Sequence, residues 1–348
     1  DDGRIETDKS VMYGKDDYSI FNSYNPGEFS VILSALGQKY IDTTSGIIHV
    51  PLDVVLVLDI SGSMSVDGDG KRADNLVKAV NKTITYLMKE DENNRVAVVA
   101  YNTKATKILP LGRYYVGSKA DYSNTNSYFS VSKSSKNDGY KKLDIGKIKN
   151  ESTNNLTDKA SKSIEVYGAT YIQDGIKQGA DILINEKTTT YTDSVSGQKV
   201  TRTPNILLLS DGCPTLGNSD YKNLPSNKKF GDGSCFGSEN TTDNNKEYSE
   251  NDKGIFGYYT ILTAKYYKDS VSKHYNGQED HKNNKFFTVG VGVTEGEDYD
   301  YISQVLHPTA QNLERCKNSK DPRHLKPKEF EDEIKVYSGY TMKACFQS

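Results

Sequence analysis

Three oxygen-bearing side chains fall within five residues in Asp59-Ile60-Ser61-Gly62-Ser63, directly after the apolar run at 54–58. One carboxylate and two hydroxyls suit a small hard cation such as Mg²⁺ or Mn²⁺, which takes oxygen ligands. The uninterrupted Val54-Val55-Leu56-Val57-Leu58 reads as a parallel strand buried on both faces. Open α/β sheets bind their ligands at the carboxyl ends of such strands. Taken alone, an Asp and two Ser at that junction would be helix caps, because their side chains satisfy orphan N–H groups. Gly62 between the hydroxyls lets the loop turn tightly.

The Asp-x-Ser-x-Ser pattern resembles the metal-ion-dependent adhesion site of the von Willebrand factor type A (VWA) family. Two further segments match in the family's order. Gly168-Ala169-Thr170-Tyr171-Ile172-Gln173-Asp174-Gly175 resembles the loop that brings a threonine to the metal. Asn205-Ile206-Leu207-Leu208-Leu209-Ser210-Asp211-Gly212 resembles the fourth strand, which ends in a second aspartate. The resemblance covers residues 50–340. It implies an α/β fold: a VWA, Rossmann-like, doubly wound and mostly parallel sheet with helices on both faces. It also implies a divalent cation, Mg²⁺ first with Mn²⁺ or Ca²⁺ as alternatives. Asp59, Ser61 and Ser63 would hold it, with Thr170 adding an oxygen directly or through water and Asp211 acting through water. An ion with few direct carboxylates keeps positive charge and an open position for a ligand's Asp or Glu. That arrangement binds; it does not turn over.

Glu28-Phe29-Ser30-Val31-Ile32-Leu33-Ser34-Ala35-Leu36-Gly37-Gln38 and Val305-Leu306-His307-Pro308-Thr309 are similar to the flanks of VWA-bearing tip adhesins of Gram-positive pili. In that group, long arms interrupt the core around the metal face. The narrower resemblance implies an extracellular adhesion module, at the pilus tip or cell wall of a Gram-positive bacterium. Its partners would be a host cell-surface or extracellular-matrix protein, of the collagen or fibronectin class, and other pilus subunits. The alternative is a structural pilus subunit whose metal stabilises the fold while the arms mediate assembly or binding. An extracellular metal-dependent hydrolase ranks third, and an intracellular chelatase-like subunit fits poorly with arms and an even cysteine count.

Composition excludes other classes. Across 348 residues, 44 basic side chains stand against 47 acidic ones, which makes no case for nucleic acid. No apolar stretch reaches the ~18 residues that a membrane span needs. The first residues carry no signal peptide, and no Leu-Pro-x-Thr-Gly occurs, so a pilus protein of this sequence would be a fragment without export and anchoring signals. There is no Gly-x-Ser-x-Gly elbow and no phosphate-binding Gly-rich loop. His49, His274, His281, His307 and His324 show no metal-ligand spacing. Asp67 and Asp69 lack the spacing of a calcium loop and read as a solvated turn. Asp174 reads as a helix-start charge, and Lys9 as a surface lysine rather than an isopeptide donor.

Cys213, Cys235, Cys316 and Cys345 form an even set without a Cys-x-x-Cys, which suits disulfides in an exported chain. Three full pairings are open. Cys213–Cys235 with Cys316–Cys345 is favoured, because the first bridge would tie an insertion to the metal face.

The elements that must position these residues follow from periodicity. Residues 1–50 form a β-rich accessory segment, to which a tail at 341–348 could return. The VWA unit then spans 51–340. A helix over 73–88 repeats apolar residues at three- and four-residue steps, and strands follow at 96–100 and from 107. Periodicity vanishes over 112–162, but Tyr114, Tyr115, Tyr122, Tyr128, Phe129 and Tyr140 argue for a folded arm rather than disorder. A helix through 176–183, a hairpin-like stretch over 188–201 and a strand at 206–209 precede a second insertion over 214–254. A helix at about 257–267, a strand at 286–293 and short helices near 299–306 and 329–336 complete the unit.

Overall fold

A computed structural model describes residues 39–43, 46–65, 71–118, 128–224, 255–277, 285–292, 302, 305 and 306. The expectations for Lys9, 28–38, Asp67, Asp69, Tyr122, Cys235, His281, His307, Cys316, His324, 329–336, Cys345 and the tail lie outside them.

A hairpin of β1 (Lys39–Thr43) and β2 (Gly46–Val50) leads into β3 (Leu52–Asp59). Next come α1 (Arg72–Glu90), β4 (Arg95–Tyr101) and β5 (Ala105–Gly112). An inserted region supplies β6 (Tyr114–Val116), β7 (Phe129–Lys133), β8 (Lys141–Ile145), β9 (Ile148–Asn150) and β10 (Ser163–Val166). The chain then forms α2 (Ile172–Ile184), the hairpin strands β11 (Thr190–Thr192) and β12 (Lys199–Thr201), β13 (Thr203–Ser210), α3 (Ile255–Asn276) and β14 (Lys285–Gly290).

The central sheet has the order β14-β13-β3-β4-β5. Its first four strands are parallel, and β5 runs antiparallel at the edge. Exposed Pro110 in β5 agrees with that edge, since proline cannot donate to a ladder. Successive side chains of a strand point to opposite faces, and the two cores follow this period. Val54, Leu56 and Leu58 of β3 pack with Val96 and Val98 of β4 beneath Leu76, Val80, Ile84 and Leu87 of α1. Val55, Val57, Ala97 and Val99 face Ile172, Ile176 and Ala180 of α2 and Ile261, Ala264, Val271 and Tyr275 of α3. The sheet is therefore covered by helices on both faces, as the apolar runs predict.

The described part of the first insertion is folded, and its aromatic residues are the reason. Tyr114, Tyr128, Phe129, Leu143, Ile145, Ile148 and Val166 are buried in one cluster with α1 and the sheet. Strands β10, β8 and β7 form a three-stranded antiparallel sheet, and β6 pairs with β9. Asn81, buried on α1, clamps this sheet: its Nδ2 donates to the Phe129 carbonyl at 2.8 Å, and its Oδ1 accepts the Phe129 N–H at 3.0 Å. Asn81→Ala leaves both backbone groups of Phe129 without their buried partner, a loss of about 2–3 kcal/mol. Denaturant melts should show that loss, and limited proteolysis should cut 128–166 earlier than in the wild type. An unchanged digestion pattern would mean that the clamp does not hold the insertion.

Two expectations change. Helix α3 runs to Asn276, well beyond residue 267. Its second half is rich in Lys, Asp and Ser, which hides the apolar stripe in the sequence. Tyr267, Val271 and Tyr275 nevertheless continue that stripe at four-residue steps into the core. Asp174 is more than a charge at a helix start: its Oδ2 accepts the Ala105 N–H at 2.6 Å, fastening α2 to the first residue of edge strand β5. Among the described residues, no helix is long and apolar enough to cross a membrane.

Candidate metal centre

The chain leaves β3 toward β4 on one side of the sheet, while β13 lies on the other. The crevice at their carboxyl ends is the switch point where doubly wound sheets bind ligands. Asp59, the last residue of β3, is fully buried there. Its Oδ1 accepts the Ser61 N–H at 2.9 Å. Its Oδ2 accepts the hydroxyls of Tyr101 at 3.0 Å and Ser210 at 2.7 Å. Tyr101 reaches it because the β3–β4 register sets Asp59 opposite Tyr101.

The Ser61 and Ser63 hydroxyl oxygens lie 3.1 Å apart, Ser61 buried and Ser63 exposed, so the motif leads from the interior to the surface. Residues 62–64 form a single 3₁₀ turn. Gly62 makes this turn without a left-handed φ, so glycine's conformational freedom is not what the loop uses. Its role is close approach instead: its N–H donates to the Gly168 carbonyl at 2.9 Å, and a Cβ there would lie 3.3 Å from that oxygen. The loop after β3 and the loop before α2 therefore meet back to back.

Thr170 is buried in the second of these loops. Its N–H donates to Thr215 Oγ1 at 2.8 Å, and its carbonyl accepts the N–H groups of Thr215 and Leu216. Asp211, which follows β13, is also buried. Its Oδ2 lies 3.6 Å from Arg72 Nη1, and the neighbouring Ser210 Oγ accepts the Gly212 N–H at 2.9 Å. The structure thus links Asp59, Ser61 and Ser63 directly, brings Asp211 in beside Ser210, and joins the Thr170 loop through Gly168. Arg72, Tyr101 and Ser210 are contributors that the sequence reading passed over. A cationic residue opening α1, and an aromatic ending a strand in register with Asp59, are the signals that could have found them.

Electrostatics favour a positive charge beside Asp59. Burial, and then the negative charge of Asp211, push the Asp59 carboxyl up to about 7. Burial, and then the Asp59 charge, hold the Tyr101 phenol well above its ordinary range, so it stays a donor. Among the described residues there is no cluster of three or more His, Cys, Asp or Glu. The available donors are hydroxyl and carboxylate oxygens, a set that fits a hard divalent cation and not a soft one. Asp59, Ser61, Ser63, Thr170 and Asp211 are the residues that would hold it. When bound, such an ion supplies positive charge beside Asp59 and a coordination position for an incoming carboxylate.

Cys213, two residues beyond Asp211, is disulfide-bonded. Its expected partner Cys235 is among the residues not described.

The model of the von Willebrand factor type A domain family matches residues 53–226, half of the chain, and the chain belongs to that family. None of the curated proteins compared with the chain matches it. Solved structures similar to it include the pilus adhesin SpaC of Lactobacillus rhamnosus GG: 16% identity over 82% of this chain and 30% of that one, TM-score 0.38. The PilB minor pilin of Streptococcus sanguinis is 16% identical over 83% of this chain and 61% of that one, TM-score 0.37. Three N-terminal domains of the type V pili tip protein Mfa5 of Porphyromonas gingivalis are 16% identical over 53% of this chain and 25% of that one, TM-score 0.27. The chain therefore spans less than a third of the length of Mfa5 and of SpaC in those structures. The family assignment rests on the family model.

Proposed function

We propose that this chain is a metal-ion-dependent adhesion module of a bacterial surface pilus. It binds an acidic side chain of a host or extracellular-matrix protein through a divalent cation, Mg²⁺ foremost, held by Asp59, Ser61, Ser63, Thr170 and Asp211. One observation carries the reading: two buried carboxylates, Asp59 and Asp211, repel one another beside paired serine hydroxyls at the switch point of the sheet. A cation turns that repulsion into attraction and leaves room for a ligand carboxylate. The pilus setting is supported by the flanking sequence resemblance and by an inserted region that folds against α1. Extracellular placement and the pairing Cys213–Cys235 belong to the same reading.

The test is adhesion to collagen and fibronectin surfaces with Mg²⁺ and with EDTA. Binding that disappears in EDTA and returns with Mg²⁺ is expected. A second reading, in which the ion only stabilises the fold, is favoured by the continuity of the insertion's core with that of the domain. It predicts equal adhesion in both conditions while the protein stays folded, which would overturn the metal-bridged mechanism.

A further inference from the structure

Arg72 is the first residue of α1, and a cation at that position opposes the positive end of the helix dipole. Its side chain turns to the metal centre instead. Nη1 lies 3.6 Å from Asp211 Oδ2 and 3.5 Å from the Ser63 carbonyl, and Nη2 donates to the Gly292 carbonyl at 3.3 Å. Gly292 has φ +67, and a Cβ there would meet Arg72 Nε at 2.5 Å, so only glycine leaves the side chain its place. One guanidinium thus spans the loops that follow β3, β13 and β14, with its charge beside one of the two carboxylates of the site.

We propose that Arg72 is the resident counter-charge of the metal centre, making cation binding and carboxylate-ligand binding mutually dependent. The proposal rests on the metal reading above. Without an ion, the guanidinium holds a positive charge beside Asp211. A divalent cation must enter against that charge, so the bare ion binds weakly. A ligand carboxylate is drawn by the ion and by Arg72 together, and by linkage the ligand strengthens ion binding as much as the ion strengthens ligand binding. The site is then charged only when an acidic partner completes it.

The experiment is calorimetric titration of Mn²⁺ into the wild type, Arg72→Gln and Arg72→Lys, each with and without acetate as the carboxylate probe. Folding of each variant is checked by circular dichroism. Arg72→Gln should bind Mn²⁺ alone about tenfold more tightly, the Coulomb effect of removing one charge several ångströms from a divalent ion in a water-like dielectric. Acetate should tighten Mn²⁺ binding more in the wild type than in Arg72→Gln, and Arg72→Lys should track the wild type. Mn²⁺ binding to Arg72→Gln that is unchanged or weaker would overturn the proposal and leave the metal reading standing. So would an Arg72→Lys variant that behaves like Arg72→Gln. Should neither variant fold, a wild type whose Mn²⁺ affinity ignores acetate would overturn it as well. No Mn²⁺ binding by any of the proteins would bring down the metal reading and this proposal together.

Discussion

Replacing Asp59 with alanine is expected to abolish divalent-cation binding while the metal-free domain stays folded. Asp59 brings the only carboxylate of the Asp-x-Ser-x-Ser loop, and its oxygens orient Ser61 directly and Ser210 beside Asp211. Removal orphans the Ser61 N–H and the hydroxyls of Tyr101 and Ser210, but it also removes a buried charge that faces Asp211. These effects oppose, so the metal-free variant should stay folded, with a net change smaller than either effect alone.

The pH dependence supplies a second readout. With a folded value of about 7 against 3.8 for an ordinary aspartate, native Asp59 holds a proton that the unfolded chain has lost. Stability is therefore greatest at the acid end of that window and falls as pH rises through it, by at most ~1.4 kcal/mol per unit. Above the folded value this contribution is level. Asp59→Ala should lack this component in metal-free melts at stepped pH. A saturating ion reverses the preference, because it favours the ionised form and competes with the proton. A variant that still takes up Mg²⁺ or Mn²⁺ with wild-type affinity would remove Asp59 from the site.

Asp53→Ala is expected to cause the largest loss of stability, without touching the metal centre. Asp53 stands near the opposite end of β3 from Asp59 and is fully buried. Its Oδ1 accepts Arg95 Nε and Arg202 Nε, each at 2.8 Å, and its Oδ2 accepts Arg95 Nη2 at 2.6 Å and the Tyr275 hydroxyl at 2.8 Å. One carboxylate therefore ties together β3, the start of β4, the segment between β12 and β13, and the end of α3. Burial, and then the Asp53 charge, raise the Tyr275 phenol, which remains a donor. Breaking a buried pair by removing one partner costs about 3–5 kcal/mol, because the other charge is left uncompensated. Two guanidinium groups are left here, that of Arg202 only 6% exposed. The melting temperature should fall by roughly 10 °C for a domain of this size. Cation affinity of the folded fraction, measured well below the melting point, should match the wild type. A fall of only a degree or two would show that the arginines find other partners.

Asp53 also shows where sequence reading stops. The central strands were legible because β3, β4 and β13 each contain an unbroken apolar run, and burial on both faces leaves no polar residue within it. The candidate metal loop stood out for the same reason: Asp59 and Asp211 each follow such a run. Asp53 stands directly before one, yet its partners lie 42, 149 and 222 residues away, a distance no local period reports. Tyr101 and Arg72 reach the centre through strand register and through the packing of α1 against the loop after β14, both non-local. For the first insertion, aromatic content predicted folding. Its strand pairing, β10-β8-β7 and β6-β9, did not show, because strands of three to five residues carry little alternation. The continuation of α3 was hidden by its own lysines and serines, though its Tyr267, Val271 and Tyr275 spacing was there to be read.

The most direct test of the account is a crystal soaked in Mn²⁺, with diffraction recorded at the manganese absorption edge. An anomalous peak is expected among the oxygens of Asp59, Ser61, Ser63, Thr170 and Asp211. A saturating soak that leaves this position without a peak, or that places manganese only elsewhere on the protein, would contradict it.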